Sequence, residues 1–254
     1  MGFLPTRYWL VAGTFCLSVL LYFDRACIAT AKDAVVHDLS LSDIQWAWVL
    51  ASFAFGYALF QTPSGMMADR LGSRGVLTAV VATWSIFTGM TAIAWNFVSL
   101  LIIRFLFGAG EAGAFPGLAK VVYAWIPVRE RGLVKGINFS GSRIGAAIAM
   151  PLIAALIAAL GWKLTFGVLM IVGFAWSTFW WIWFRNDPTE HPGISEQERA
   201  YILRERQQAS TRELAIKRIT SGELLRSKNL WLMMIQYFAS NFTFFSVLPG
   251  SIRM

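Results

Sequence analysis

The sequence predicts an all-α membrane protein, and three observations carry that prediction. The chain of 254 residues is 57% hydrophobic and only 14% charged, against about 25% charged in a soluble domain. Its apolar residues fall into runs of about 20, long enough to cross a bilayer as helices. Its basic residues gather in alternate connections between those runs, as the positive-inside rule requires. That placement accounts for the net charge of +8 and argues against a nucleic-acid partner.

Taken in order, the runs predict helix one at residues 9–31, helix two at 44–66, helix three at 76–95 and helix four at 97–125. Helix five is expected at 133–160, helix six at 163–184, and a partial seventh from 230. The first run holds Asp24 and Arg25 near its end and lacks a small-residue cleavage site, so it reads as a retained helix. Arg7, the Arg70 and Arg74 loop, and Arg129, Arg131 and Lys135 mark one side of the membrane. The segment 185–228 adds nine Lys or Arg to that side. The opposite connections are poor in cations, so the N-terminus and the long segment are expected in the cytoplasm. Short turns near Asn96 and Gly161 make helices three and four, and five and six, antiparallel neighbours.

The expected domains are a six-helix bundle at 1–184, a cytoplasmic linker at 185–228 and a truncated seventh helix at 229–254. Within the linker, Ser195 to Glu198 reads as a capping box opening a charged helix. Pro249 and Gly250 read as a break in the last helix. Cys16 and Cys27 are eleven residues apart on one helix, roughly 16 Å, too far to bridge, and serve as packing residues.

Charges inside the apolar runs are the candidate functional residues. Arg104 and Glu111 lie seven residues apart in helix four, almost two turns and about 10 Å, with Gly108 between them on the same side. Each charge at mid-membrane costs about 2.5–3.5 kcal/mol on insertion scales, so such residues generally face a polar pathway. That spacing predicts separate contacts over a mutual ion pair. Asp24 and Arg25 are consecutive and point about 100° apart, so they are expected to serve different neighbours. Arg143 sits in helix five among Ser140, Gly141, Ser142 and Gly145, small residues that permit close helix approach. Tyr57 and Gln61 form the polar stripe of helix two, with Gln61 expected in helix packing. Lys120 is expected as an interfacial anchor. Arginines fork onto carboxylates, and a desolvated carboxyl group can take and release a proton. Three arginines with two carboxyls therefore suggest an organic anion moving with protons. His37 and His191 are expected in loops, and no Ser-His or metal-spaced cluster lies on a helix, which argues against an enzyme. No cofactor or metal is expected.

Gly65, Asp69, Arg70, Gly72 and Arg74 resemble the signature between helices two and three of the major facilitator superfamily, with Ser73 in place of the usual basic residue. In that reading Asp69 sits at a helix N-terminus and pairs with an arginine, latching the inner helix ends. Arg104, Gly108 and Gly110 resemble the superfamily's helix-four signature. Asp24-Arg25 in helix one, and Arg104, Glu111 and Pro116 in helix four, are similar to the anion:cation symporter group, which includes galactonate, glucarate and hexuronate proton symporters. The resemblance covers residues 8 to about 245 and implies twelve helices in two halves, with substrate held between them. It implies that Asp24 and Glu111 carry protons and that Arg25, Tyr57 and Arg104 bind a sugar acid. Arg143 is similar to an arginine of some members. The chain is then expected to be the N-terminal half of a plasma-membrane symporter, lacking the C-terminal six-helix half. Alternatives are an organic-anion exchanger or uniporter, and a structural half-transporter subunit without activity.

Overall fold

The structure is a computed structural model that describes residues 5–214 and 221–247. Its elements are α1 (Thr6–Thr30), α2 (Lys32–Asp38), α3 (Asp43–Thr91), α4 (Phe97–Glu111), α5 (Ala114–Trp125), α6 (Arg131–Trp183), a 3-10 turn (Pro188–Glu190), α7 (Glu196–Leu214), α8 (Ser221–Arg226) and α9 (Lys228–Val247). No strand occurs among the described residues. The chain forms two compact units, Met1–Arg206 and Gln207–Met254, so the first part of the expected linker belongs with the bundle.

Local chemistry explains the helix ends. Ser42 and Gln45 form a reciprocal capping box at the start of α3, and Asn96 and Ser99 do the same for α4, satisfying backbone donors that a helix leaves open. Helices two and three are not separated by a loop. Two helical arms of α3 meet at a kink, where Gly72 alone leaves helical geometry at φ +75°, a region open to glycine at little cost. Asp69 and Arg70, expected in the loop after helix two, are helical and extend the first arm. Gly161, at φ +78°, bends α6 in the same way. The expected helix four is two helices, broken at Ala112–Gly113. Pro116, in the first turn of α5, has no N–H for the Ala112 carbonyl, so the helix restarts there.

Two apolar clusters build the core of the first unit. One joins Leu10, Leu17 and Leu21 to Trp84, Phe107, Trp125 and Trp180; the other joins Cys27 and Ile28 to Ile103, Ile153 and Phe166. The sequence order Leu21, Asp24, Cys27 on α1 and Ile103, Arg104, Phe107 on α4 places the charges where the clusters meet. Among the described residues, three segments are long and apolar enough to cross a membrane: α1, α4 with α5, and α6, at mean hydropathies of 1.5, 1.6 and 2.3. Only 17% of the most apolar stretch of α6 is buried, so that stretch faces away from the rest of the bundle.

Helices in lipid associate through close packing, and glycines set the crossings. A Cβ on Gly108 would overlap the Phe53 carbonyl, and one on Gly56 the Phe105 carbonyl. Gly141 and Gly145 lie against Phe15 and Val19 of α1, the close approach expected from the small residues around Arg143. Gly108→Ala is therefore expected to destabilise by about 1–3 kcal/mol through overpacking, read as a lower melting temperature in detergent. Gly75→Ala, whose Cβ would meet nothing within 4 Å, is the control that should not lower it.

At the end of the bundle that holds the α1 N-terminus, only half of the expected capping box forms. Ser195 Oγ accepts from the Glu198 N–H at 3.2 Å, but the Glu198 carboxylate caps α1 instead, accepting from the backbone N–H groups of Thr6 and Arg7 at 2.9 and 3.0 Å. The Thr6 hydroxyl donates to the Gly193 carbonyl at 2.8 Å. His191 lies edge-on to Trp125 and Trp183, and burial holds its imidazole pKa below the usual histidine value. His37 is helical, in α2, a correction to its expected loop. Gln61 is exposed and contributes no buried helix contact, because its side of α3 turns outward. Of the second unit, α9 runs through residues 229–247 of the expected seventh helix; the rest of that segment, with Pro249 and Gly250, lies outside the described residues.

Candidate functional site

Four charged side chains meet inside the bundle. Asp24 and Arg25 come from α1, Arg104 and Glu111 from α4. Asp24 and Arg104 are each 2% exposed and Glu111 is fully buried. An unpaired ion in such surroundings costs several kcal/mol, and the geometry shows how these are offset. Arg25 Nε donates to Glu111 Oε1 at 2.6 Å, and Arg25 Nη2 donates to the same oxygen. Asp24 Oδ1 accepts from the Thr88 hydroxyl of α3 at 3.1 Å. The consecutive Asp24 and Arg25 thus do serve different helices, as their angular separation requires.

Aromatic rings enclose the cations. The Arg25 guanidinium lies 5.5, 5.3 and 5.1 Å from the ring centres of Tyr22, Phe53 and Tyr57. Arg104 lies 4.3 Å from Phe107 and 5.4 Å from Phe53, so one ring, Phe53, faces both guanidiniums. Ring faces attract cations without neutralising them. The glycine crossing of α3 on α4 at Gly56 and Gly108 brings Phe53 this close. Sequence reasoning missed Phe53 and Thr88. Phe53 carried a signal, standing one helical turn before Tyr57 and so on its face; Thr88 carried none in an apolar run.

The cluster keeps polar valences in reserve. Asp24 Oδ2, Glu111 Oε2 and Arg104 Nε are buried and have no hydrogen-bond partner. Buried polar atoms are usually paired, and exceptions ask for an explanation. Three such atoms, two acceptors and one cationic donor, on one charge cluster have the chemistry of a site for protons and an anion. Two cations and two carboxylates balance when all are ionised. Each proton taken by a carboxylate leaves one positive charge uncompensated, which an anion could neutralise. Arg143 stands apart from this: it is exposed on α6 rather than buried with the other charges.

The signature residues lie at another level and act as ties. Asp69 is near the end of the first arm of α3, not at a helix N-terminus, and its carboxylate accepts from Lys120 Nζ of α5 at 2.7 Å. The expected arginine pairing is thus replaced by a lysine, because the α5 helix approaches Gly65 at Pro116 and places Lys120 one turn further along. Lys120 is correspondingly more than an interfacial anchor. Arg74 holds the end of α6: Nε and Nη2 donate to the Trp181 carbonyl at 2.9 and 2.6 Å, and the backbone N–H donates to Asn186 Oδ1 at 2.8 Å. Gly72 faces the Asn186 side chain, so a Cβ is excluded there twice, by space and by φ. Arg70 is exposed.

A helical bundle that buries a charge-balanced cluster at the junction of its two apolar cores has the features expected of a polar pathway through a membrane. Residues 14–252 match the model of the Major Facilitator Superfamily, and the chain belongs to that family. The match continues past Phe245, where the resemblance was expected to end. The chain is 37% identical over 176 residues to the hexuronate transporter of Bacillus subtilis (strain 168), covering 69% of this chain and 42% of that protein. It is 34% identical over 203 residues to the probable galactarate/D-glucarate transporter GarP of Escherichia coli (strain K12), covering 78% and 46%. It is also 34% identical over 196 residues to the probable sulfoacetate transporter SauU of Cupriavidus necator, covering 77% and 45%. Among solved structures it resembles a bacterial homolog of the human lysosomal transporter Spinster in an inward-facing, occupied conformation, with a TM-score of 0.67, 25% identity, and 76% and 47% of the two chains covered. The family and these relatives are transporters, not enzymes. The chain spans about half the length of the curated relatives it matches.

Proposed function

We propose that the protein carries a sugar-acid anion across the plasma membrane together with protons, by alternating access. The observation that carries this reading is the buried cluster of two arginines and two carboxyls with three unpartnered polar atoms. Arg104 and Arg25 receive the substrate carboxylate, with Tyr57 available to a hydroxyl. Asp24 and Glu111 take up the protons that leave the arginines free to hold an anion. The names of the relatives support a hexuronate or an aldarate as cargo; an aldonate is the third sugar-acid class the helix motifs suggest. In this reading α1, the two arms of α3, α4 with α5, and the two arms of α6 make six crossings, with the N-terminus in the cytoplasm. Ties from Asp69 and Arg74 hold the inner ends, and a second six-helix half completes the site.

The test is uptake of labelled glucuronate, glucarate and galactarate into proteoliposomes. Accumulation against a gradient, driven by an acidic exterior, is the expected result. Uptake that is equal with and without the pH gradient would make the protein an exchanger or uniporter instead. No uptake of any of the three would overturn the sugar-acid assignment.

A further inference from the structure

Buried hydroxyls in helices ordinarily bond to the carbonyl one turn back. Ser85 and Thr91, in the second arm of α3, do this, donating to the carbonyls of Val81 and Phe87 at 2.7 and 2.9 Å. Thr88 lies between them on the same arm and behaves differently. Its hydroxyl, 1% exposed, donates across to Asp24 Oδ1 of α1 at 3.1 Å. The other carboxyl oxygen, Oδ2, and the buried indole N–H of Trp84, one turn from Thr88, make no hydrogen bond of normal geometry, but the indole stands close enough to act on the Asp24 carboxyl as a donor. Besides Thr88 and Trp84, the groups that act electrostatically on Asp24 are Glu111 and Arg104 of α4 and Cys27 of α1. From α6, Gly173 lies against Ser85 and Trp84.

We infer that Thr88 is a positioning residue that fixes Oδ1 of Asp24 as its carbonyl oxygen, so that the exchangeable proton sits on Oδ2. The inference rests on the proposal that Asp24 carries a proton. A carboxylic acid has one carbonyl oxygen and one hydroxyl oxygen, and a donor held on Oδ1 favours the proton at the other. Protonation forms one O–H bond at Oδ2, and release breaks the same bond; nothing else is exchanged. Thr88 thereby gives a symmetric carboxylate a direction, presenting Oδ2 as the oxygen that loads and unloads.

Difference infrared spectroscopy of the purified protein in lipid, between acidic and neutral pH, tests this without requiring transport. The C=O stretch of protonated Asp24 is the band that disappears in Asp24→Asn. In Thr88→Val the carbonyl loses its donor, and the band is expected to move to higher wavenumber. Thr88→Ser, which keeps the hydroxyl, should leave it at the wild-type position. A role in packing alone would not move the band in this pattern. Should Thr88→Val fail to fold, Thr88→Ala makes the same measurement. A band unmoved by loss of the hydroxyl overturns the positioning role and leaves the proton-carrying reading standing. Absence of any Asp24-dependent band down to the acid limit of the fold overturns both.

Discussion

Glu111→Gln is expected to abolish proton-driven accumulation while sparing exchange of substrate across the membrane. Glu111 Oε1 receives two donors from Arg25, and Oε2 is buried and unpartnered. The amide can still accept from Arg25, so the local geometry persists. It cannot change charge, so the proposed cycle loses one of its two proton sites and its link to the pH gradient. The substitution also changes the cluster from neutral to a net positive charge. Removing one partner of a buried pair costs about 3–5 kcal/mol, which predicts a lower melting temperature in detergent. Addition of substrate anion should restore part of that loss, because the anion replaces the missing negative charge. Counterflow and gradient-driven uptake measured on the same proteoliposomes separate the two effects. A Gln variant that accumulates substrate uphill as well as the wild type would remove Glu111 from the coupling role.

The second large effect is expected at Arg104. Its guanidinium is fully enclosed, lies against Phe107 and Phe53, and keeps Nε unpartnered. Arg104→Lys preserves the charge but replaces a planar fork by a point charge that cannot form two parallel hydrogen bonds to a carboxylate. Truncating one partner of a buried charged hydrogen-bonded pair costs about 2–5 kcal/mol. The KM for glucuronate should therefore rise by roughly 30-fold or more, at 1.4 kcal/mol per factor of ten. Melting should change little in Arg104→Lys, because the charge balance survives. Arg104→Ala leaves two carboxyls facing one cation and is expected to destabilise by about 3–5 kcal/mol. A Lys variant with unchanged KM would show that Arg104 balances charge without touching substrate.

Both experiments concern residues legible in the sequence, and the reason is energetic. A charge in an apolar run of membrane length is costly wherever the run packs, so Asp24, Arg25, Arg104 and Glu111 announce themselves before any neighbour is known. Helix spacing went further, placing Asp24 and Arg25 on different contacts and separating Arg104 from Glu111. Arg143, singled out in the same way, is exposed on α6 and lies outside this cluster. A charge with small residues around it has no means of revealing which side of the helix faces the bundle. Gln61 failed for the same reason.

The ties at the helix ends were legible as residues and not as pairs. Asp69 and Arg74 belong to a recognisable signature, yet Asp69 meets Lys120 and Arg74 meets the carbonyl of Trp181. Glu198 fits a capping box three residues after Ser195, yet its carboxylate caps α1. Local rules identify a group that needs a partner. Which partner it finds depends on the helix that arrives beside it, and for Thr6 and Glu198 that helix is 192 positions away in the chain.

The sequence by itself determined that this is an all-helical membrane protein, where most of its helices lie, and which four charges need an explanation. Those properties follow from transfer energies and helical periodicity, which act on neighbours in the chain. Only the tertiary structure decided that Arg25 rather than Arg104 pairs with Glu111, that Phe53 faces both cations, and that Thr88 holds Asp24. Close approach of α3 to α4, at Gly56 and Gly108, brings these groups together, and helix packing is set by the shapes of surfaces remote from one another in sequence.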